Sequence, residues 1–445
     1  MKFYIETLGC KVNIYESEAV AYDLLTHGYT ESSDNPDVQI VNTCTVTHVS
    51  DSKSRKVIRQ LIRENPNAIT VVMGCYSQLD SDALMKLDGV DIVIGTNNRR
   101  HIYELIEEYR LFHKQINKVV DSKNYTSFEE LKLSRLHYHT RGFIKIQDGC
   151  ENFCTFCAIP YSRGPIKSRD HESIIKEINE LVESGVKEVV LAGINTGTYG
   201  KDLGNISLAK LIELILLNIP NLYRIRLSSI ELMEVDDELL NVLEKYKDRI
   251  AHQIHIPLQS GCDSVLVRMN RKYLMDDFFK KVEIIRNIMP DVALTTDCLA
   301  GFVGETIDEF NTTYLNIKKI GFSECHIFPY SKRAGTKAFD MPNHLDPNII
   351  KERAHKLQLL AKELKENFFM SYLGQIVEVL IEQKKDGYWV GHTTNYLEVG
   401  IKDDNIKEND ILNVRLTQLM NGILIGEKIS WNLKNWILNH TLKII

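Results

Sequence analysis

The chain has 445 residues, of which 44% are hydrophobic and 26% charged, and its formal net charge is −6 at pH 7. This composition is typical of a soluble globular protein, and the length predicts two or three domains. The negative charge excludes a strongly basic nucleic-acid binder, so any contact with RNA must use local patches. We predict a cytoplasmic protein with no membrane partner, because no stretch approaches ~18 uninterrupted apolar residues and a charge comes early at the N-terminus.

In the N-terminal third, three apolar, β-prone runs each end in a cysteine. These runs are 3–10, 38–44 and 70–75, ending in Cys10, Cys44 and Cys75, and a fourth run covers 91–94. Helix-like segments at 16–25 and 50–62 separate them. The alternation predicts a parallel sheet whose ligands bind at the carboxyl ends of the strands, where the three cysteines should meet. A second metal cluster is one interpretation, and three small buried core residues are the alternative.

A basic run lies on the second predicted helix of this region. Its members are Lys53, Arg55, Lys56, Arg59 and Arg63. The run suits contact with phosphates, but a solvated helix face has the same pattern. The segment 110–139 is mostly polar and without a helical or strand period, which predicts a first domain over residues 1–125.

Three further cysteines lie within eight residues, at CxxxCxxC spacing: Cys150, Cys154 and Cys157. Their thiolates can face one metal centre. Clusters of four irons usually have four thiolate ligands, so three would leave one iron open for a substrate or cosubstrate. Nine cysteines in all, an odd number, favour metal or redox chemistry over disulfides. Zinc is the alternative metal, but no second CxxC or HxxxH follows Cys157.

The central part predicts six βα units. The strands are expected at 143–147, 188–192, 224–227, 252–257, 292–297 and 324–328. Six parallel strands with outer helices indicate a partial (β/α)6 barrel over residues 139–372, whose active site lies at the carboxyl ends of the strands. Small and polar residues follow these strands and suit close approach and hydrogen bonding to a ribose or an amino-acid head group. They are Gly193, Asn195, Ser228, Ser229, Gln259, Gly301 and Gly304. Three cysteines remain, Cys262, Cys298 and Cys325, and the last two are expected to be packing residues.

The C-terminal part changes to short strands. They are expected at 375–382, 387–390, 396–400, 411–416 and 423–429. Five such strands predict a small antiparallel, OB-like β-barrel over residues 373–435. Tyr388, Trp389 and Tyr396 offer rings on which bases can stack. The overall fold class is therefore α/β, with a β-barrel at the C-terminus.

The run GCENFCTFCAIPYSRG at 149–164 resembles the cluster loop of radical S-adenosylmethionine enzymes, with the aromatic Phe156 before the last cysteine. Together with TLGCKVN at 7–13, it makes nearly the whole chain resemble the methylthiotransferase family, most closely the branch that modifies threonylcarbamoyladenosine in tRNA. The resemblance implies two 4Fe-4S clusters, one on Cys150, Cys154 and Cys157 and an auxiliary one on Cys10, Cys44 and Cys75. It also implies that S-adenosyl-L-methionine binds at Phe156 and the strand-end residues named above, and that the C-terminal barrel is a TRAM RNA-binding module.

The implied reaction converts N6-threonylcarbamoyladenosine at position 37 of tRNA to its 2-methylthio derivative. An adenine C2–H is beyond the reach of any side-chain base, so cofactors must supply the chemistry. The implied partners are the tRNA anticodon loop and an electron donor such as flavodoxin or ferredoxin. Three alternatives stay open: an isopentenyl-type adenosine substrate, an aspartate of a ribosomal protein, and a non-catalytic iron-sulfur RNA-binding protein.

Overall fold

The computed structural model describes residues 1–45, 48–131 and 140–429. These residues form an N-terminal α/β unit, an incomplete parallel barrel and a closed C-terminal β-barrel. The predicted first residue of the central domain, His139, and the tail with Trp431 and Trp436 lie outside the described residues. The domain limits 1–125, 139–372 and 373–435 remain predictions.

The N-terminal unit is a parallel sheet with helices around it, as the alternation of apolar runs and helical segments predicts. Its strands, in the order β2-β1-β3-β4-β5-β6, are β1 (Lys2–Thr7), β2 (Thr30–Glu31), β3 (Val38–Thr43), β4 (Ile69–Gly74), β5 (Ile92–Val93) and β6 (Ile116–Asn117). Its helices are α1 (Lys11–Thr26), α2 (His48–Glu64), α3 (Cys75–Leu79), α4 (Ser81–Met85) and α5 (Ile102–Phe112). The sequence predicted only four strands. The two additional ones, β2 and β6, have two residues each, too few to form an apolar run.

Strand β3 lies in the middle of this sheet and is buried along its whole length. Its apolar side chains fill the core, and its polar ones find partners inside it, since a buried polar group without a hydrogen bond is costly. Gln39 donates to Thr70 Oγ1 at 2.9 Å, and Asn42 donates to the backbone oxygen of Asn13 at 2.9 Å. The second bond ties α1 to the end of β3, close to both Cys10 and Cys44.

The central unit contains six parallel barrel strands, which confirms the predicted partial (β/α)6 architecture. Its strands are β7 (Arg141–Lys145), β8 (Gln147–Asp148), β9 (Lys167–Ser168), β10 (Glu188–Ala192), β11 (Arg224–Leu227), β12 (Gln253–His255), β13 (Ala293–Ala300) and β14 (Glu324–Pro329), of which β8 and β9 pair with each other outside the barrel. Its helices are α6 (Ile159–Arg163), α7 (His171–Glu183), α8 (Leu208–Asn218), α9 (Asp237–Lys245), α10 (Asp263–Arg268), α11 (Met275–Ile288), α12 (Ile307–Ile320) and α13 (Pro347–Met370).

The six barrel strands form two three-stranded sheets, β7-β10-β11 and β12-β13-β14. Isolated parallel bridges at Ile225–Ile250 and Ser229–His255 join them into one curved surface. Alternate residues along each strand point to the helices or to the barrel lumen. The helix side is apolar and includes Cys298 and Cys325, which confirms that these two cysteines are packing residues.

The N-terminal unit closes the open side of this incomplete barrel. At one edge strand, Lys145 of β7 donates from Nζ to Glu16 of α1 at 2.8 Å. At the other edge, Arg333, which follows β14, donates to the backbone and hydroxyl oxygens of Thr45 and lies 3.2 Å from Asp51 of α2. Contacts at both edges therefore hold the N-terminal unit against the side of the barrel that lacks strands.

The C-terminal unit is a closed five-stranded barrel with the strand order β15-β16-β17-β19-β18. Its strands are β15 (Ile376–Lys385), β16 (Tyr388–Thr393), β17 (Glu398–Ile401), β18 (Ile411–Met420) and β19 (Ile423–Lys428). The predicted barrel is confirmed, but not every pair is antiparallel: β17 and β19 run parallel. Because the strands on either side of the closing seam run in the same direction, hairpins alone cannot close this barrel.

The C-terminal barrel covers the N-terminal ends of the central barrel strands. Arg226 of β11 donates from Nη2 and Nη1 to the backbone oxygens of Thr393 and Thr394, at 3.2 and 3.1 Å. The guanidinium groups of Arg141 and Arg226 lie over the ring of Tyr396, and His392 stacks on the same ring at 4.5 Å. These contacts pack the half-buried ring of Tyr396 within the chain, and its stacking on RNA bases stays a prediction.

Candidate active site

The CxxxCxxC loop follows β7 and β8 at the carboxyl end of the barrel, where the sequence places it. Gly149 precedes the first cysteine with a φ of +79°, and a Cβ there would lie 1.8 Å from the backbone oxygen of Pro165, so only glycine fits. The middle of the loop is fixed by Thr155, whose N–H donates to the Met269 oxygen at 3.0 Å. Asn270 donates to the Phe153 oxygen at 3.1 Å. The loop is thus held by the segment after α10.

A cavity of about 140 Å³ opens beside this loop. Its lining includes Phe156, Cys157, Ala158, Ile159, Gln259, Asp297, Leu299, Phe328, Pro329, Tyr330, Ser331 and Arg333. Two predicted cofactor-binding residues, Phe156 and Gln259, are therefore brought together with Cys157. The ring of Phe156 packs edge-on against Phe302, with ring centres 6.3 Å apart. The cavity combines an apolar wall with the polar side chains of Gln259, Asp297 and Arg333, which suits a small polar cosubstrate.

A buried arginine lies against one sulfur of this loop. Arg271 Nη1 is 3.3 Å from Cys154 Sγ, and the same guanidinium pairs with both carboxylate oxygens of Glu231. Burial raises the pKa of Cys150 to about 11 and that of Cys157 to about 12. These thiols therefore become thiolates only when a positive centre binds among them, and metal binding would release their protons.

The other predicted cofactor-binding residues lie at the strand ends but outside the cavity lining. Asn195 is 4% exposed, and neither Nδ2 nor Oδ1 has a hydrogen-bond partner among the described residues. Such an orphaned amide is costly unless a ligand satisfies it. Ser228 pairs with Thr196 at 2.7 Å, and Ser229 bridges to His255. The three glycines contact other residues of the chain. A Cβ on Gly193 would meet Gln147 Oε1 at 2.9 Å, one on Gly301 would meet Ile350 at 2.9 Å, and the Gly304 N–H donates to the Asn343 oxygen at 3.0 Å.

The dispersed cysteines come together at the carboxyl ends of β1, β3 and β4. Cys10 precedes α1, Cys44 follows β3, and Cys75 begins α3. A Cβ on Gly9 would lie 3.0 Å from Cys44 Cβ, so the residue beside Cys10 touches Cys44. Gly74 has a φ of +106°, and a Cβ there would lie 2.5 Å from Asn42 Oδ1. The sharp turn that places Cys75 at this edge therefore requires glycine.

Arg163 of α6 connects the two cysteine groups. It lies six residues after Cys157, and its Nε is 3.1 Å from Cys75 Sγ. Its other nitrogens contact Asn13 Oδ1 at 2.8 Å and Glu16 Oε1 at 2.5 Å. A helix residue of the central unit thus reaches a sulfur of the N-terminal unit.

A buried ion network surrounds Arg163. Its members are Glu16, Arg99, Lys145, Asp148 and Arg163. Burial alone would raise the pKa of Glu16, but Arg163, Arg99 and Lys145 together lower it to about 2. Burial likewise opposes ionisation of Asp148, and Lys145 and Arg163 hold its pKa well below the usual range. Glu16 and Asp148 therefore stay ionised at neutral pH.

Comparisons with known proteins agree with this arrangement. Residues 2–95 match the model of "Uncharacterized protein family UPF0004", and residues 144–317 match that of the radical SAM superfamily. The chain is 41% identical over 417 residues to the "Threonylcarbamoyladenosine tRNA methylthiotransferase MtaB" of Bacillus subtilis, which covers 92% of each chain. The chain belongs to the radical SAM methylthiotransferase family. Another relative, a "tRNA-2-methylthio-N(6)-dimethylallyladenosine synthase" from Sulfurihydrogenibium, is 34% identical over 89% of this chain and 92% of its own.

Among solved structures, the radical S-adenosylmethionine methyltransferase TsrM from Kitasatospora setae superposes with a TM-score of 0.55. The match covers 76% of this chain and 74% of that one at 15% identity, so it supports the fold alone. None of the helices in the described ranges is both long and apolar enough to cross a membrane.

Methylthiotransferases of the radical SAM family use S-adenosyl-L-methionine and two 4Fe-4S clusters. The residues present fit both groups. Each cysteine group offers three thiols. Within the described residues, the three sulfur atoms of neither group all lie within 4.8 Å of one another, whereas sulfur atoms on one tetrahedral zinc lie about 3.8 Å apart. The wider spacing suits a larger cluster, and the orphaned amide of Asn195 suits a polar ligand at the strand ends.

Sequence reasoning missed the three arginines that organise the site: Arg163, Arg271 and Arg333. Arg163 lies inside the 149–164 run, so its closeness to a cysteine motif was visible in the sequence. Its contact with Cys75 was not visible, because the two residues belong to different units. Nothing local distinguishes Arg271 or Arg333 from surface arginines.

Proposed function

We propose that this enzyme converts N6-threonylcarbamoyladenosine at position 37 of tRNA to its 2-methylthio derivative. The two cysteine groups, joined through Arg163, support a methylthiotransferase that holds one cluster on Cys150, Cys154 and Cys157 and an auxiliary one on Cys10, Cys44 and Cys75. The observation that favours the threonylcarbamoyl substrate is the higher identity to the MtaB relative, 41% against 34% for the dimethylallyladenosine synthase.

The protein's own residues would bind and orient the reactants. When bound, the clusters and S-adenosyl-L-methionine supply the hydrogen abstraction and the sulfur that side chains lack. Phe156 and Gln259 would hold the cosubstrate in the cavity beside Cys157, and Asn195 would complete the contacts to its polar groups. The N-terminal unit covers the open side of the barrel and would limit the entry of water from that side, which protects a radical reaction.

The exposed face of α2 offers a surface for tRNA phosphates. Lys53, Lys56, Arg59 and Arg63 are exposed there, and the described residues place no carboxylate within 4 Å of their charged groups. Tyr388 and Trp389 remain half-exposed on the C-terminal barrel. These two surfaces are our candidates for binding the anticodon arm, with flavodoxin or ferredoxin as the electron donor.

Mass spectrometry of tRNA nucleosides from cells lacking this protein tests the proposal. We expect 2-methylthio-threonylcarbamoyladenosine to be lost and its precursor to accumulate. Expression of the wild-type gene should restore the modified nucleoside, and expression of the Cys157→Ala variant should not. Loss of a methylthio isopentenyl nucleoside instead would assign the second candidate substrate, which the 34% relative favours. An unchanged nucleoside profile would overturn both and point to the ribosomal-protein substrate.

Anaerobic incubation with S-adenosyl-L-methionine and a reductant tests the non-catalytic alternative. We expect 5′-deoxyadenosine to form with the wild-type holoenzyme and not with Cys157→Ala. Its absence from the wild-type reaction, with both clusters assembled, would favour an iron-sulfur RNA-binding protein.

A further inference from the structure

Three side chains from adjacent strands meet in the barrel lumen: His255 of β12, Asp297 of β13 and His326 of β14. One ligand atom from each lies within 4.8 Å of the other two. The strand pattern explains the meeting, because Asp297 and His326 are register partners whose neighbours Cys298 and Cys325 pack in the outer core. This group is distinct from both cysteine groups.

The local geometry prepares His255 to be a metal ligand. Its Nδ1 is 2.9 Å from Thr295 Oγ1, which also accepts from Gln253 Nε2 at 3.0 Å. This contact fixes the ring and leaves Nε2 directed at Asp297, as an outer hydrogen bond does for metal-binding histidines. The distance from Nε2 to Asp297 Oδ2 is 3.4 Å. Two ligands on a tetrahedral zinc, each bonded at 2.0–2.1 Å, lie about 3.4 Å apart.

The donor set indicates which ion would bind. Two imidazoles and one carboxylate suit zinc or iron, whereas magnesium and calcium prefer oxygen ligands throughout. The group stays accessible from the lumen, since the side chains of His255 and Asp297 are 14% and 30% exposed. Asp297 also lines the cavity that contains Cys157. An ion held by three protein ligands here would keep open positions toward the site of reaction.

We propose that His255, Asp297 and His326 bind one divalent transition-metal ion of the zinc and iron class, whose open positions take an oxygen ligand of the substrate nucleoside. The binding of a substrate oxygen to the ion rests on the proposed function, and the metal site itself does not. A threonylcarbamoyl group carries a carboxylate and a hydroxyl, both good oxygen ligands, whereas an isopentenyl group has neither. The ion would thus select the threonylcarbamoyl nucleoside.

Titration of the holoenzyme with Co²⁺ alone tests the metal site. With both clusters assembled, the cluster cysteines are occupied, and the visible absorption of Co²⁺ reports binding to the histidine and carboxylate set. We expect one equivalent to bind and Zn²⁺ to displace it. Asp297→Asn and His326→Gln should each weaken binding at least about tenfold.

The matched control is His171→Gln. His171 Nδ1 lies 3.7 Å from Asp170 Oδ1 on the outer helix layer, and the described residues supply no third ligand beside this pair. It should keep wild-type Co²⁺ affinity. The metal site is overturned if the wild-type protein binds no Co²⁺, or if the Asp297→Asn, His326→Gln double variant binds it as tightly as the wild type. Cluster absorption shows that each variant is folded.

Affinity for an anticodon stem-loop, with and without the threonylcarbamoyl group, tests the oxygen ligand. The zinc-loaded wild type should prefer the modified stem-loop, and His326→Gln should lose most of that preference while His171→Gln keeps it. An equal preference in His326→Gln overturns the substrate contact. Failure of the proposed function would show instead in the cellular nucleosides and would leave the Co²⁺ titration unchanged.

Discussion

The two cysteine groups reach similar surroundings by different routes. One lies within eight residues of a single loop, whereas the other is assembled from the ends of three strands. In both, a buried arginine that pairs with a glutamate lies against one sulfur: Arg271 against Cys154, and Arg163 against Cys75. Arg271 comes from the same unit as its cysteine, but Arg163 comes from another unit. The dispersed group therefore depends on the docking of two units, and the loop group does not.

The largest expected effects come from two separate variants, each lacking one cysteine of one group. We expect Cys157→Ala to lower 5′-deoxyadenosine formation by ~10⁴-fold or more, as for loss of a catalytic group. Cys75→Ala should keep that activity and lose methylthiolation. Each variant should retain the iron of the untouched group, measured by iron and sulfide analysis with EPR. If Cys75→Ala kept all its iron, the dispersed group would not be a cluster site.

Removing each arginine should show which group depends on the docking interface. Arg163→Met leaves Glu16 and Asp148 buried with fewer cations, and we expect a loss of about 3–5 kcal/mol in the free energy of unfolding. Arg271→Met should cost less, about 1–3 kcal/mol, because its partner Glu231 is 21% exposed. Chemical denaturation of the cluster-free chain measures both. Arg163→Lys keeps the charge and should lose less than Arg163→Met, whereas equal losses in all three variants would contradict the comparison.

Acid should loosen the same interface between the two units. The pKa of Glu16 is about 2 in the folded chain and near 4.5 when unfolded, so its ionisation stabilises the fold above the unfolded value. That contribution should be complete at neutral pH and disappear as the pH falls from ~4.5 toward ~2. Glu16→Gln should be less stable than the wild type at pH 7, and its stability should fall less steeply with acid. Thermal unfolding midpoints between pH 3 and 7 would show this, and parallel curves for the two proteins would refute it.

The smallest effect concerns RNA binding beside the dispersed group. Helix α2 follows Cys44, so if tRNA approaches from this side, Lys56→Glu should weaken its binding a few-fold and reduce the salt dependence of log Kd by about one unit. Filter binding at several salt concentrations measures both quantities. Lys318→Glu, on the outer helix α12 with 55% exposure, is the control and should change neither. An unchanged salt dependence in Lys56→Glu would exclude this face of α2.

Much of the fold was predictable because the alternation of apolar and polar residues that marks a strand or helix lies within short stretches of the sequence. The run that forms β3 and the six barrel strands were visible as apolar segments, and the CxxxCxxC loop was visible as a spacing. Two-residue strands such as β6 were not, since they carry no period. The closure of the C-terminal barrel through a parallel pair was missed because strand direction across a seam depends on tertiary structure.

The candidate site was predictable only where neighbours in space are also neighbours in sequence, or where strand ends must coincide. No motif or spacing in the sequence marks His255, Asp297 or His326 as functional. Each is an ordinary strand residue until the register places Asp297 beside His326. The roles of the arginines were not predictable for the same reason. A charge network between two units produces no recognisable pattern in the sequence of either unit.

The covering of the central barrel also limits how a nucleotide can reach it. In the described part of the chain, the N-terminal unit covers the open side of the lumen. The C-terminal barrel, held by the contacts of Arg226 with Thr393 and Thr394, covers the end of the lumen where the barrel strands begin. The approach left is past the cysteine loop. An adenine of the tRNA would have to leave its base stack and enter base first, with its ribose and phosphates remaining outside. Recognition of the tRNA backbone and chemistry on the base would then occur on opposite sides of one narrow opening.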